Sequence, residues 1–195
     1  MNSLRKLIDA ISLLAADTET EWIRWIPGKA NILLWRLLNN RLPTKDNLIT
    51  RGVSMASTDC PLCVMCMETL DHLMTSCSTS RVVNAYLLSW VDWWPSGASG
   101  VQDLWRQICS IGGDPVNKKV RKVIGAAFYW NLWTQRNTWL FTSSIKKEKE
   151  FFRDIQFLAF NWIRCRYKGG KTHSWDSWSC NPDNAVSPCN LLAPR

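Results

Sequence analysis

Cys60-Pro61-Leu62-Cys63, followed by His72 and Cys77, spells C-x2-C-x8-H-x4-C, and this stretch decides how the chain is read. A C-x2-C turn carries two thiolates to one side of a tight loop. A helix from near Glu68 to near Cys77 would turn His72 and Cys77 toward the same point. Zinc favours this mixture of sulfur and imidazole, and four protein ligands fill its tetrahedral shell without leaving a place for a water nucleophile. Cys60, Cys63, His72 and Cys77 are therefore expected to hold a structural Zn2+. Cys63 and Cys66 form a second C-x2-C pair, so Cys66 is either a bystander or an alternate ligand; Pro61, which stiffens the first loop, favours Cys60 with Cys63. Disulfides or plain buried thiols are the competing use of eight cysteines, and they would leave His72 at ligand spacing by coincidence.

On the amino-terminal side, Ile32, Trp35, Arg36, Leu38 and Asn39 follow Pro27 at helical spacing, and Pro43 ends that helix. Thr44 is the expected N-cap of a short helix through Leu48 and Ile49, closed by Gly52. The cluster is thus approached through two helices joined by a corner. Further out, Leu4, Leu7, Ile8, Ile11, Leu14 and Ala15 suit an amphipathic docking helix better than a secretory signal, since Asp9 interrupts the apolar run. A reducing compartment follows, nuclear or cytoplasmic and not secreted.

On the carboxyl-terminal side, turn-rich breaks at 95–100 and 111–115 bracket a short apolar segment. Val120, Val123, Ile124, Ala127, Phe128, Leu132 and Trp133 then define a broad apolar face on a helix reaching about Phe141. Phe151, Ile155, Leu158, Ala159 and Trp162 give a second helix its buried stripe. No window shows sustained alternation. The expected fold is mainly α, a small zinc-stabilised helical domain followed by a helical carboxyl-terminal region. Its divisions are an amino-terminal helix or tail over 1–20, the zinc domain over 21–95, a hinge with a short helix over 96–117, a basic helical region over 118–170 and a flexible tail over 171–195.

Charge follows the same divisions. The chain of 195 residues has 24 basic and 16 acidic side chains, a net of +8, and residues 118–171 alone hold 13 basic against 3 acidic. No apolar run approaches the roughly 18 residues of a membrane span, so no membrane partner is expected. Cys109 and Cys165 read as inert residues of apolar helices, while Cys180, Cys189 and His173 have no pair at useful spacing.

Trp25-Ile26-Pro27, the run from Trp35 to Leu48, Arg51-Gly52-Val53, the C-x2-C pair, Glu68-Thr69, His72-Leu73, Cys77 and Ser80-Arg81 together resemble the zinc-binding domain near the carboxyl end of plant non-LTR (LINE-type) retrotransposon reverse transcriptases. The resemblance covers roughly residues 22–94. It is looser for Trp130 to Asn137 and for Trp175-Asp176, Trp178 and Cys180-Asn181-Pro182. It implies the same four zinc ligands, with one departure: Val64 stands where the family often has Gly. It further implies a detached portion of a longer polyprotein whose parent is an RNA-directed DNA polymerase.

The polymerase apparatus itself is missing from the sequence. Two-metal phosphoryl transfer needs clustered carboxylates, and the chain has no adjacent Asp pair, no phosphate loop and no nucleophile elbow. The chain is expected not to be an enzyme. Its expected role is binding RNA template or target DNA through Arg36, Arg41, Lys45 and Arg51 beside the zinc, and through Lys118, Lys119, Arg121 and Lys122 on the first long helix; Arg153, Arg164 and Lys168 form a further basic face near Phe157 and Phe160. The alternative is a docking module that meets a partner, such as the polymerase portion of the parent, through exposed tryptophans. Trp93, Trp94, Trp175 and Trp178 are its candidates among thirteen.

Overall fold

The computed structural model describes residues 20–167, 170–172, 174–184 and 186–188, and the chain there is mainly helical, as its periodicity requires. The docking helix expected over 1–16, together with Lys168, His173 and Cys189, lies outside the described residues. A 3-10 turn, Thr20–Trp25, leads into α1, Gly28–Leu38. The buried side of α1 is Ala30, Leu34, Leu37 and Leu38 at helical spacing. Asn31, also buried, donates its amide to the carbonyls of Ile23 (2.9 Å) and Ile26 (3.2 Å), fixing the entry turn to the helix. At the other end Asn40 takes a left-handed φ of 50°, and the chain reverses ahead of Pro43.

Helix α2, Lys45–Thr50, starts where expected, but Thr44 does not cap it. The Thr44 hydroxyl instead donates to the Asp46 carboxylate, and the first amide of the helix, Lys45 N–H, donates to Glu68 Oε2 at 3.0 Å. A carboxylate 23 residues away does the capping. Gly52, at φ 82°, closes the helix in a conformation that a Cβ would strain.

After an irregular stretch tied by an antiparallel bridge between Asp59 and Met67, His72–Ser76 forms a π-helical turn that runs into α3, Ser78–Trp90. Helix α4, Val101–Ser110, sits between the two turn-rich breaks. Helix α5, Pro115–Thr142, begins at Asp114, whose carboxylate accepts from Val116 N–H (2.9 Å) and Asn117 N–H (3.1 Å), with Pro115 in the first helical position. Helix α6, Glu148–Arg166, returns antiparallel to it after the left-handed Ser143. A short pair, β1 (Gly170–Thr172) with β2 (Val186–Pro188), flanks α7, Trp175–Cys180, and the 3-10 turn Pro182–Asn184.

Helix α5 is the centre of the molecule, touching α1, α4 and α6. Every residue from Val120 to Tyr129 is buried. Gly125 permits the closest approach, since a Cβ there would meet Ile108 at 3.1 Å and Trp105 at 3.2 Å. Among the described residues no helix is long and apolar enough to cross a membrane.

Burial on all sides of α5 overturns part of the sequence reading. Arg121 and Lys122 are not on a solvated face; Lys122 is 1% exposed. Arg121 donates to Asp183 Oδ2 at 2.9 Å and to the Gly112 carbonyl, and its guanidinium lies 5.2 Å from the centre of the Trp93 ring. These bonds bring a buried cation its partners. Tryptophan exposure is corrected in the same way. Trp94 packs edge-on to Phe128 with its indole N–H on Asn84, and Trp178 is fully buried against Trp90 and Phe160 with its N–H on the Gln156 carbonyl. Trp93 donates to Asp183 and is half-buried. Only Trp175 of the four is open to solvent, where a flexible tail and an exposed aromatic surface had been expected. Cys165, expected among apolar neighbours, is exposed on α6.

Candidate metal centre

The C-x2-C loop is folded by its own backbone. Cys60 N–H donates to the Cys66 carbonyl (2.6 Å) and Val64 N–H to the Cys60 carbonyl (2.8 Å), so Cys60 and Cys63 present their sulfurs on one side. This turn puts Val64 at φ 57°, a left-handed conformation that a β-branched residue rarely takes. Glycine takes this conformation without strain, which bears on the one departure from the sequence resemblance.

His72 and Cys77 reach the same point by a different device from the α-helix expected. Residues five apart on an α-helix lie about 140° apart around its axis. The wider π turn, closed by Cys77 N–H donating to the His72 carbonyl at 2.7 Å, brings them back toward one face. Cys77 then sits in the N-cap position of α3.

The four ligand atoms all lie within 4.8 Å of one another. Cys60 Sγ and Cys77 Sγ are 3.8 Å apart, and Cys63 Sγ and His72 Nε2 are 3.3 Å apart. With Zn–S near 2.3 Å and Zn–N near 2.0–2.1 Å, a regular tetrahedron has edges of about 3.8 Å between sulfurs and about 3.6 Å between sulfur and nitrogen. The cage therefore fits zinc in donor chemistry and in size. Cys60 and Cys77 are buried, Cys63 and His72 half-buried, and Cys66 is exposed outside the cluster. That resolves the choice between Cys60 and Cys66, the latter contributing its carbonyl rather than its thiol.

Surrounding groups prepare the ligands. In the tautomer that binds through Nε2, the His72 Nδ1–H donates to Ser76 Oγ at 3.3 Å, which fixes the ring. The hydrogen bond from Cys60 holds the Cys77 thiol down at about 5, and the N–H groups of Thr79 and Ser80 at the start of α3 work in the same direction. The shared hydrogen bond with Cys77 pushes Cys60 up, against N–H groups of Cys63 and Leu62 that favour its thiolate. A metal ligand must be a thiolate, so binding a divalent cation would release the thiol protons of the cluster.

The expected nucleic-acid contacts divide. Arg36, Arg41 and Arg51 are exposed at the corner between α1 and α2, where Arg36 Nη2 (3.5 Å) and Arg51 Nη2 (3.4 Å) both point at the Arg41 carbonyl. The Arg41 guanidinium lies 5.1 Å from the centre of the Trp35 ring. Lys45 is half-buried and donates from Nζ to the Asp59 carbonyl at 2.8 Å, bracing the irregular stretch. Lys118 and Lys119 are half-buried on the first turn of α5, away from this corner, and Arg121 and Lys122 are removed to the interior.

One pair of residues escaped the sequence reading as partners. Glu68, fully buried, receives Arg136 from α5 in a two-pronged ion pair, Nε to Oε1 at 2.7 Å and Nη2 to Oε2 at 2.8 Å. Arg136 also donates to the Pro43 carbonyl (3.2 Å), and its guanidinium lies 4.8 Å from the centre of the Trp133 ring. Glu68 thus links α2, the metal loop and the long helix. No local spacing joins positions 68 apart.

Neither curated proteins nor solved structures give a match to this chain. Residues 9–83 match the family described as zinc-binding in reverse transcriptase, beginning earlier and ending earlier than the 22–94 of the sequence resemblance. This segment is similar to the zinc-binding family of reverse transcriptases, and its three cysteines and one histidine place their ligand atoms within 4.8 Å of one another.

Proposed function

We propose that the chain is a nucleic-acid-binding module in which a structural zinc holds the loop and the arginines at the neighbouring corner contact phosphates. The observation that carries this reading is the convergence of Arg36, Arg41 and Arg51 on one exposed corner. Among the described residues none of the three forms an ion pair with a carboxylate. Three like charges held together repel one another unless an anion joins them, and a phosphate backbone supplies such anions in series. A ligand set of four protein side chains suits a structural ion and supports binding without catalysis by this chain. The sequence resemblance supports a parent of the plant non-LTR retrotransposon type, for which the module would hold RNA template or target DNA beside the polymerase portion, in the nucleus or cytoplasm.

Salt titration of the zinc-loaded full chain against fluorescent RNA and DNA oligonucleotides tests this. Binding is expected to weaken linearly in logarithmic coordinates with salt, and a protein with Arg36, Arg41 and Arg51 all changed to Ala should show a slope shallower by about 2 for a single strand. Absence of binding at low salt would overturn the proposal. Of the four tryptophans expected for the docking alternative, Trp94 and Trp178 are interior residues, while Trp175 is exposed and Trp93 half-buried.

A further inference from the structure

Beside the arginine corner, α1 and the end of α5 leave between them a groove of about 340 Å³. Lys29, Ile32 and Arg36 line it from α1, and Trp133, Arg136 and Phe141 from α5. Lys29 and Arg36 are seven residues apart, two turns of helix, so they stand on one face about 10.5 Å from each other along the axis. Both are exposed, and among the described residues no carboxylate lines the groove. The third cation, Arg136, is already neutralised by Glu68. The groove therefore offers two outward positive charges above an apolar wall.

Phe141 is the unexplained residue. It is 83% exposed on the last turn of α5, the most exposed large hydrophobic side chain among the described residues, although the same helix buries ten consecutive residues earlier on. An aromatic face beside two cations can take an unpaired base while the cations take the flanking phosphates, and stacking of this kind accepts any base. A base within a duplex has no free face to give. Arg36 belongs both to the groove and to the arginine corner, so one continuous strand can pass from one to the other.

We propose that this groove binds single-stranded nucleic acid, with Lys29 and Arg36 on the phosphates and an unpaired base stacked on Phe141. This rests on the nucleic-acid reading above and adds to it the strandedness of the ligand and the place where a base is held.

Fluorescence anisotropy of the zinc-loaded full chain with twelve-nucleotide oligo(U), oligo(dT) and a duplex of the same length provides the test, alongside zinc content and helical circular dichroism for each variant. Phe141→Ala should weaken single-strand binding by about tenfold and leave duplex binding unchanged, and Phe141→Trp should restore it. Lys29→Ala should weaken single-strand binding with a shallower salt dependence. The loss with oligo(U), with oligo(dT) or with both supports the groove, and the oligonucleotide that shows it identifies the sugar preferred. If Phe141→Ala and Lys29→Ala bind the single strands as tightly as the parent while the triple arginine variant does not, the groove proposal falls and the corner remains. If the parent chain binds no oligonucleotide at low salt, both fall.

Discussion

The metal loop and the central helix are held in opposite ways. From Arg51 to Asp59 every residue but the half-buried Met55 is exposed, as are Val64 to Met67, so this part of the chain has almost no apolar interior of its own. From Val120 to Tyr129 all ten consecutive residues are buried. Four directed bonds to one ion can fix the first region; area removed from water fixes the second. The contrast teaches that stability is local here, and that the two regions should fail separately unless something couples them. Glu68 and Arg136 are that coupling.

Removing the metal should produce the largest effect. Structural zinc supplies on the order of 10 kcal/mol or more in small metal modules. Chelation is expected to strip hydrogen-exchange protection from residues 51–77 while α5 and α6 stay protected; equal loss in both regions would show that the separation is false. Breaking the coupling comes next. Arg136→Ala strands the buried Glu68 carboxylate, and a destabilisation of about 3–5 kcal/mol is expected in denaturant titrations. The double change Glu68→Leu with Arg136→Met should recover much of it, because neither charge is then left alone, and a double variant no better than the single would contradict this account.

Smaller effects probe each region by itself. Gly125→Val forces side-chain atoms against Ile108 and Trp105 and should lower thermal stability by about 1–3 kcal/mol without changing zinc affinity. Val64→Gly relieves the left-handed backbone of the metal loop at a position 66% exposed, and a gain of about 0.5–1 kcal/mol in the zinc-bound form is expected, read as slower metal release to a chelator. A slower release from Gly125→Val, or none from Val64→Gly, would blur the line between the regions.

Legibility in the sequence follows the range of the interactions involved. The Cys60, Cys63, His72 and Cys77 cluster is legible because its residue types are few and their spacing is local, and Pro27, Pro43 and Gly52 mark the two helices ahead of it. The π turn was not readable, since a five-residue separation at a helical segment carries no mark of which ladder closes it. The burial of Arg121 and Lys122 was missed for another reason. Runs of Lys and Arg opposite an apolar stripe ordinarily face water, and the partner that draws Arg121 inward, Asp183, lies 62 residues away. Trp178 likewise belongs to a segment that sequence alone marks as a polar tail, and only its seat against Trp90 and Phe160 shows otherwise. The Asp114 cap, by contrast, is legible: Asp-Pro ahead of a helical run is a start signal as well as a break.

X-ray absorption spectroscopy at the zinc edge on the purified full chain, with metal content from elemental analysis, tests the central claim most directly. One zinc per chain is expected, with three sulfurs at about 2.3 Å and one nitrogen at about 2.0–2.1 Å, and with both Cys60→Ser and His72→Ala losing the metal. A shell of four sulfurs, which would bring in Cys66, or a chain that retains no zinc, would contradict it.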